Sequence, residues 1–281
     1  MERTMRFSVC LCVYHGDDPA WLRAAVDSTR NQTASPDQIV LVVDGPVPKE
    51  LDTVIREYES EAVFTVLRLP ENKGLGNARK IGLENCAYDL VAMMDADDIC
   101  APDRFERQLA AFEQDEELSI VGGQISEFTD RPQNIIGYRE VPLTNEDIKE
   151  YLKTRCPFNH VSVMLKISDI MKVGGYMDWY FNEDYYLWIR MHLAGMKFAN
   201  VPQTLVNVRV GEDMYMRRGG WKYFSSELGL QKLMRRHRII GLPTYLINVA
   251  KRVVVQLLLP NKLRGWVFKK FARSQTEMEK V

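Results

Sequence analysis

Residues 7 to 13, Phe-Ser-Val-Cys-Leu-Cys-Val, form a near-continuous apolar run of strand length. A strand in the middle of a parallel sheet is covered on both faces, so its sequence is apolar throughout instead of alternating. The run ends before Tyr14. A helix is predicted to follow over residues 19–31, because apolar residues recur there at helical spacing after Asp17 and Asp18, which are candidate caps.

The alternation of strand and helix continues up to Asp95. The predicted strands cover residues 38–43, 63–69 and 90–94, and the predicted helices between them cover 51–59 and 76–84. This pattern is typical of βαβ units and predicts an α/β fold, with a mostly parallel nucleotide-binding sheet flanked by helices. In such sheets ligands bind beyond the carboxyl ends of the strands. The residues that follow these strands are polar or acidic, and include Tyr14, Asp44 and Asp95.

Beyond residue 100 the pattern is less regular. Helices are predicted over 103–113, 145–153 and 183–193, and strands over 120–128 and 161–165. Thr144 is a candidate cap of one helix, and Gly195 lies near the end of another. The last sixty residues are predicted to be helical and cationic. The chain is therefore divided into a domain of residues 1–220 and a basic helical C-terminal extension of residues 221–281.

A near-neutral total charge hides two parts of opposite sign. The 281 residues hold 37 Lys and Arg against 38 Asp and Glu, but residues 221–281 hold 13 against three. A hydrophobic content of 46% excludes a disordered chain, and the length suffices for a full core. The basic extension fits an interfacial anchor on anionic lipid, or a solvated helical surface docked on the acidic body.

The N-terminus and the cysteines favour a cytoplasmic protein. The first residues, MERTMRFSVCLCVY, lack the small-residue cleavage site of a secretory signal. The best candidate for a membrane span, residues 239–259, is interrupted by polar and charged residues. Five cysteines without paired CxxC spacing favour neither zinc ligation nor a disulfide framework. Reduced thiols are expected.

The sharpest local feature is Asp95-Ala96-Asp97-Asp98, three carboxylates at the end of a predicted strand. Like charges this close repel unless solvent or a cation compensates them, and Mg²⁺ and Mn²⁺ prefer oxygen ligands. A turn of solvated acids, or Asp98 as the cap of the next helix, is the structural alternative. The position at a strand end favours metal or nucleotide binding.

Two further features follow strands. Asp44, in Val-Val-Asp-Gly-Pro, either forms an Asx turn or accepts a hydrogen bond from a base or ribose. The stretch from Asn72 to Lys80 is a loop with two glycines that opens a helix and carries cations. It matches no Walker pattern, and its glycines alone could shape a turn. Beside Asp44 and Asp95 it would supply positive charge to a nucleotide.

A pair of acids starts the helix predicted over 183–193. Glu183 and Asp184 suit a helix N-terminus, where the macrodipole favours negative charge, so capping could explain them. A carboxylate that stays ionised at the edge of a pocket is also a suitable general base for an alcohol. Earlier in the chain, Asn159 and His160 place an amide and an imidazole ahead of a strand. His160 fits a structural hydrogen-bonding role nearly as well.

Five of these motifs, in this order and spacing, resemble the family 2 glycosyltransferases, which are inverting, metal-dependent enzymes with the GT-A fold that use nucleotide sugars. The motifs are Ser8–Tyr14, Val43-Asp44-Gly45, Asn72-Lys73-Gly74 through Arg79, Met94–Asp98, and Glu183–Trp188. The resemblance spans roughly residues 6 to 210. Cys12 and His15 depart from the residues that the family usually carries in the first motif.

The resemblance implies a role for individual residues. Asp184 would be the catalytic base, and Asp97 would hold Mn²⁺ or Mg²⁺. Tyr14 would lie near the uracil, and Asp95 at the ribose. The residues assigned in this way to the nucleotide-sugar site are Cys12, Tyr14, Asp44, Arg79, Asp95, Asp97, Asn159, His160 and Glu183.

The second half of the chain is similar to bacterial O-antigen and exopolysaccharide β-galactosyltransferases. The resemblance rests on Asn159-His160, on Gly174-Gly175-Tyr176 and on the segment 208–220. It implies transfer of galactose from UDP-galactose to a GlcNAc-diphosphate-undecaprenol lipid, at the inner face of the cell membrane. Another sugar, such as glucose, GlcNAc or rhamnose, stays open, because sugar choice depends on a few contacts. A nucleotidyltransferase and a nucleic-acid-binding protein are the alternatives from other classes; the acidic body argues against nucleic acid.

Overall fold

The computed structural model describes residues 5–211 and 219–260, and these form one sheet with helices on its faces. The strands are β1 (Phe7–Val13), β2 (Gln38–Val43), β3 (Phe64–Arg68), β4 (Leu90–Asp95), β5 (Ile99–Cys100), β6 (Leu118–Phe128), β7 (Ile135–Arg139), β8 (Met164–Lys166) and β9 (Lys197–Arg209). The helices are α1 (Pro19–Arg30), α2 (Lys49–Glu59), α3 (Leu75–Glu84), α4 (Arg104–Gln114), α5 (Asn145–Leu152), α6 (Ile167–Lys172), α7 (Glu183–Leu193), α8 (Trp221–Arg236) and α9 (Leu242–Arg252). A 3₁₀ turn covers His160–Ser162, and a π-helical turn, Val253–Leu258, continues α9.

The first half of the sheet is parallel and confirms the predicted βαβ pattern. Its strands lie in the order β3-β2-β1-β4. Val13 pairs with Val43 and Cys12 pairs with Asp95, so strands β1, β2 and β4 end at one edge. Of the nine strands within the described ranges, six run in one direction, which confirms the α/β fold with a mostly parallel sheet.

The second half of the sheet is mixed and departs from the prediction. Strand β8 pairs antiparallel with both β4 and β6, and β9 runs parallel to β6. Sequence analysis missed β5, β7, α6 and β9. The long strand β9 is half-buried along much of its length and carries polar residues and Pro202, so it lacks the apolar run that marks a central strand.

The strand predicted over 161–165 is wrong in its first part. Residues His160–Ser162 form a 3₁₀ turn, and β8 begins only at Met164. The Oγ of Ser162 lies 2.8 Å from the carbonyl oxygen of Asn159, three residues earlier, and 3.0 Å from that of Gly123, so its one proton can be donated to either. This local hydrogen bond competes with the extended ladder that the apolar pattern favours.

The flanking helices bury their apolar stripes in the usual way. Helix α2 buries Leu51, Val54, Ile55 and Tyr58 against the sheet. Asp18 caps α1 as predicted, since its carboxylate accepts from the backbone N–H of Ala20 and Trp21. Asp17 is not a cap of that helix; its carboxylate accepts from the N–H of Tyr14.

The C-terminal helices pack on the rest of the chain. Leu230 and Met234 of α8 belong to the same apolar cluster as Trp188 of α7. The ring of Trp179 donates to the carbonyl of Ser226 at 3.1 Å. Residues 221–236 and 242–258 are helical as predicted, and both segments dock on the body. The boundary at residue 220 stays a prediction.

Part of the predicted basic extension lies outside the described residues. This part includes Lys262, Arg264, Trp266, Phe268, Lys269, Lys270 and Arg273. Within residues 5–211 and 219–260, no helix combines the length and the apolar character needed to cross a bilayer.

Candidate functional site

The carboxyl ends of β1, β2 and β4 gather the predicted nucleotide-binding residues at one edge of the sheet, here called the carboxyl edge. Adjacent strands lie about 4.8 Å apart, so residues that end neighbouring strands come within reach of one ligand. Cys12 is half-buried next to Asp95 on β4, and Tyr14 just beyond β1 is 44% exposed. A flat, accessible aromatic ring beside a strand end can stack on a nucleobase.

Asp44 holds the glycine-bearing loop in place. Its carboxylate is buried and accepts from the backbone N–H of Lys73 at 2.7 Å and of Gly74 at 3.1 Å. The predicted Asx turn toward Gly45 and Pro46 is therefore replaced by a contact that spans 29 residues. Gly74 has φ of 81°, a conformation that favours glycine. Asp44 thus fixes the start of α3, and contact of its carboxylate with a nucleoside stays a prediction.

Arg79 of α3 bridges the carboxyl edge to α7. Its guanidinium donates to the carboxylates of Asp95 and Glu183, at 3.0 Å each, and only 7% of its side chain is exposed. Burial opposes charge on this group, but the two carboxylates outweigh burial and raise the pKa of Arg79. Arg79 therefore links Asp95, a predicted nucleotide-binding residue, to Glu183 in the predicted catalytic motif.

Asp97 and Asp98 follow β4, and Arg209 at the end of β9 contacts both residues. The carboxylate of Asp98 is buried and accepts from the backbone N–H of Arg209 at 2.8 Å, so it does not cap α4. The guanidinium of Arg209 donates to the carbonyl of Asp97 and lies over the rings of Trp21 and Phe128. The strand that sequence analysis missed therefore holds this acidic turn in shape.

Negative charge is crowded around Asp97. Burial, together with the charges of Asp97 and Asp95, raises the pKa of Asp98 well above its usual range. Burial raises the pKa of Asp17 to about 6, and the charges of Asp97 and Asp95 add to this effect. Arg79 compensates Asp95. Mg²⁺ and Mn²⁺ prefer oxygen ligands, so the carboxylates gathered at this turn fit either ion.

The protein alone does not provide a complete metal cage. Among residues 5–211 and 219–260, no three His, Cys, Asp or Glu side chains converge in a ready-made metal site. Mg²⁺ commonly takes only one or two carboxylates and completes its shell with water and substrate phosphates. Asp97 as a ligand in such a shared shell stays a prediction.

Glu183 and Asp184 are adjacent in sequence but have different partners. Glu183 is bound to Arg79; burial and the charge of Asp184 raise the pKa of Glu183 although Arg79 lowers it. Asp184 is half-buried, accepts from the N–H of Tyr185 at 2.6 Å, and accepts from the thiol of Cys156 at 3.7 Å. None of the described cations lies within ion-pair distance of Asp184, so its carboxylate is not held in an ion pair, whereas that of Glu183 is.

His160 lies beneath α7 as a neutral imidazole. Its Nε2 is 2.6 Å from the hydroxyl of Tyr176, and its ring stacks on Trp188 with centroids 6.2 Å apart. Burial, followed by the charges of Arg79 and Arg104, lowers the pKa of His160 well below its usual range. This environment favours the structural interpretation of His160.

Asn159 is fully engaged with protein groups. Its amide nitrogen donates to the carbonyl of Gly123 at 2.9 Å, and its amide oxygen accepts from Arg139 at 2.7 Å. Arg139 also donates to the carbonyls of Cys156 and Phe158. Asn159 therefore lies in the framework between β6 and β7, and a contact with the donor sugar stays a prediction.

The sequence assigned no role to three residues that support the site. Arg209, Tyr176 and Cys156 contact Asp98, His160 and Asp184, respectively. Arg209 and Tyr176 stand within motifs of the second half of the chain, Val208–Gly211 and Gly174-Gly175-Tyr176, so a signal existed for them. Nothing in the spacing of the cysteines distinguishes Cys156.

Three glycosyltransferases are similar to this chain over nearly its whole length. An uncharacterized glycosyltransferase of Haemophilus influenzae is 42% identical over 269 residues, 96% of this chain and all of the relative. A UDP-Gal:alpha-D-GlcNAc-diphosphoundecaprenol beta-1,3-galactosyltransferase of Escherichia coli is 36% identical over 97% of this chain and 98% of its own. The amylovoran biosynthesis glycosyltransferase AmsE of Erwinia amylovora is 34% identical over 94% and 98%.

Solved structures share the fold at low identity. TarS 1–349 of S. aureus in complex with UDP-GlcNAc has a TM-score of 0.67 and 14% identity, over 94% of this chain and 79% of that one. The mannosyltransferase PcManGT of Pyrobaculum calidifontis, in complex with GDP-Man and Mn²⁺, has a TM-score of 0.61 and 15% identity over 93% and 72%. These structures agree with the GT-A type of fold.

The profile of one protein family covers most of the described sheet. It is named Glycosyl transferase family 2 and matches residues 8–172, from β1 to α6. The ordered motifs, the sheet and the full-length relatives all agree with that match. This chain belongs to glycosyl transferase family 2.

Proposed function

We propose that this glycosyltransferase moves galactose from UDP-galactose, with inversion, to a GlcNAc unit linked through diphosphate to a polyprenyl lipid. The observation that carries the proposal is the bridge from Asp95 through Arg79 to Glu183, because it joins the carboxyl edge to the start of α7, where Asp184 lies. The Escherichia coli relative, 36% identical over nearly the whole chain, supports the donor and the acceptor.

The donor binds across the carboxyl edge. The ring of Tyr14 stacks on the base, and Cys12 and Asp44 line the nucleoside subsite. Asp95, aligned by Arg79, accepts from a ribose hydroxyl. Asp97 would hold Mn²⁺ or Mg²⁺, which would supply positive charge to stabilise the diphosphate leaving group.

Asp184 removes the proton from the acceptor hydroxyl. As that proton moves to the carboxylate, the acceptor oxygen bonds to the anomeric carbon and the bond from this carbon to the diphosphate oxygen breaks. A single displacement requires the base and the leaving group on opposite faces of the sugar, which inverts the configuration. Glu183 stays bound to Arg79 and positions the start of the helix.

The reaction takes place at the inner face of the cell membrane. Reduced cysteines favour an intracellular compartment, and all five cysteines of the chain are free. The basic C-terminal region supports contact with anionic lipid, since each cation near the surface contributes about 1 kcal/mol of attraction. The acceptor, a lipid diphosphate, requires that contact.

The test is a panel of nucleotide sugars with Mn²⁺ or Mg²⁺ and a synthetic GlcNAc-diphosphate-lipid acceptor. We expect transfer from UDP-galactose, with a β linkage visible in the proton coupling of the new anomeric centre. Transfer of glucose, GlcNAc or rhamnose instead would mean that the donor is a nucleotide sugar other than UDP-galactose. An α linkage would overturn the single displacement. Cleavage of the nucleotide between its phosphates would favour a nucleotidyltransferase.

A further inference from the structure

Helix α9 and the π-helical turn after it turn polar side chains toward the protein and apolar side chains toward solvent. On the side that faces the protein stand Asn248, Arg252 and Gln256, all largely buried. On the outer side stands a row of apolar residues, here called the apolar stripe: Leu242, Leu246, Ile247, Val254 and Leu258. A surface helix of a soluble protein has the opposite arrangement, with its apolar stripe toward the core.

The inward polar residues fix this orientation. The amide of Asn248 donates to the carbonyl of Lys153 and to the side chain of Gln231, at 2.9 Å each. Arg252 forms an ion pair with Glu227 at 2.6 Å, and both side chains are nearly buried. A helix rotated to bury its apolar stripe would leave these polar groups without their partners, at a cost of about 1–3 kcal/mol each. The stripe is therefore held outward.

The stripe is too extensive to be incidental. Leu246 is 56% exposed, Ile247 is 54% exposed and Leu258 is 68% exposed. Trp221, which is 71% exposed, lies beside its C-terminal end, because the N–H of Gly220 donates to the carbonyl of Gln256. Single exposed apolar residues are normal, but a continuous row with a Trp at its end marks an interaction surface.

Charge favours anionic lipid as the occupant of this surface. Between Leu228 and Thr276 the chain contains no Asp or Glu, whereas Lys and Arg recur throughout, and Lys251 stands exposed within the stripe itself. A helix with one apolar face, cationic residues and a Trp at the boundary has the composition of an interfacial helix. The segment 242–258 lies along the protein, so it suits a position parallel to the bilayer surface.

The stripe is physically connected to the candidate base. The segment 153–156 accepts hydrogen bonds from Asn248 at Lys153 and from Arg252 at Thr154, and its Cys156 donates to Asp184. Three residues of chain span at most about 11 Å, so α9 lies close to the start of α7, where Asp184 stands. A surface that rests on lipid here would bring a lipid diphosphate close to Asp184.

We infer that α9 and the π-helical turn lie in the surface of an anionic bilayer, with the apolar stripe inserted among the acyl chains and Lys251 and Trp221 at the headgroups. The choice of lipid over a protein partner rests on the charge of the segment and, in part, on the lipid-linked acceptor of the proposed function. The stripe then supplies the insertion, and the cations supply attraction only.

The experiment uses full-length protein and the triple variant Leu246→Gln, Ile247→Gln and Leu258→Gln. Binding is measured by flotation with vesicles of equal parts phosphatidylglycerol and phosphatidylcholine. We expect the triple variant to bind at least about tenfold more weakly, because three half-exposed apolar side chains lose their burial in lipid. The matched control, Ile135→Gln, Ile136→Gln and Met171→Gln, changes exposed apolar residues elsewhere and should bind like the wild type.

Three outcomes would overturn the inference. The first is equal vesicle binding by the triple variant and the wild type, and the second is no vesicle binding by the wild type. The third is a wild-type protein that forms a concentration-dependent dimer and does not bind vesicles, with the dimer lost in the triple variant. Transfer to a water-soluble acceptor separates this question from the proposed function, since the triple variant should retain it. Loss of vesicle binding in a protein that transfers no galactose would sustain the inference and refute the proposed donor.

Discussion

The carboxyl edge and the apolar stripe of α9 each present groups that a protein normally avoids at that place. At the carboxyl edge, carboxylates are crowded; among the described residues Arg79 pairs with Asp95 and the backbone N–H of Arg209 donates to Asp98. On α9, apolar side chains face water while Asn248 and Arg252 face inward. Each arrangement is costly until a partner of matching chemistry binds, a cation and diphosphate at the edge and lipid at the stripe.

Helices α2 and α9 differ in the same way, in which side chains they bury. Helices α2 and α9 have eleven residues each. Helix α2 buries four apolar residues against the sheet, whereas α9 buries only Asn248. The orientation of α2 is explained by the core alone. That of α9 is fixed by the buried contacts of Asn248 and Arg252, which leave the apolar stripe outward. In our proposals the edge performs the chemistry and the stripe positions the enzyme.

The largest effect is expected from Asp184→Asn. The variant keeps the shape of the side chain but cannot accept the proton, so transfer should fall by about 10²–10⁴-fold while UDP binding is unchanged. The loss should be equal with a water-soluble and a vesicle-bound acceptor, measured by product formation and by UDP titration. Near-wild-type transfer would remove Asp184 from the role of base.

Arg79→Lys tests the bridge within the carboxyl edge. A lysine keeps the charge but cannot reach both Asp95 and Glu183 with the planar fork of a guanidinium. One of the two carboxylates then loses its hydrogen-bonded partner, and because Asp95 is partly exposed we expect a loss of about 1–2 kcal/mol in the free energy of unfolding, measured by urea denaturation. Arg23→Lys, at an exposed ion pair with Glu57, is the control and should unfold like the wild type. Equal stability of the Arg79→Lys variant would contradict a bridging role.

Asp97→Ala tests the metal. Loss of even an outer partner of a metal site costs about 10–100-fold in metal affinity, so Mn²⁺-dependent UDP binding should weaken at least tenfold. Calorimetry with and without a chelator gives the measurement. The chelator should lower UDP binding by the wild type and leave the variant unchanged. An unaltered metal requirement in the variant would exclude Asp97 as a ligand.

Lys251→Gln should have the smallest effect, and it acts at the stripe alone. One cation near the surface contributes about 1 kcal/mol, so binding to phosphatidylglycerol vesicles should weaken about fivefold. The difference should shrink in high salt, because salt screens the attraction. Transfer to a water-soluble acceptor should be unchanged. A large loss in high salt would mean that Lys251 supports the fold of α9.

The first half of the sheet could be predicted because its signals are local. The apolar runs of β1, β2 and β4 need cover on both faces, and the helices between them show their stripes at helical spacing. The cap at Asp18 and the acids at the end of β4 could be predicted for the same reason, because they depend on residues next to them in the chain. Strand β9 lacked such a signal, because a half-buried strand with polar residues resembles a loop.

The partners within the site could not be predicted from spacing. Arg79 and Glu183 are 104 residues apart, and Asp98 and Arg209 are 111 apart. Both contacts depend on how the mixed half of the sheet returns α7 and β9 to the carboxyl edge. The motifs pointed to both acids of the pair, but not to the ion pair of Glu183 with Arg79 or to the lack of one at Asp184 among the described residues.

The sequence by itself determined the α/β class, the strands that end in acids and the opposite charges of the two parts of the chain, because these depend on neighbours along the chain. Only the tertiary structure decided which carboxylates are compensated and which face of α9 points outward. The reason is that burial and ion pairing depend on distant residues. The 242–258 segment has apolar and polar residues on opposite sides, and only the contacts of Asn248 and Arg252 determine which side meets the protein.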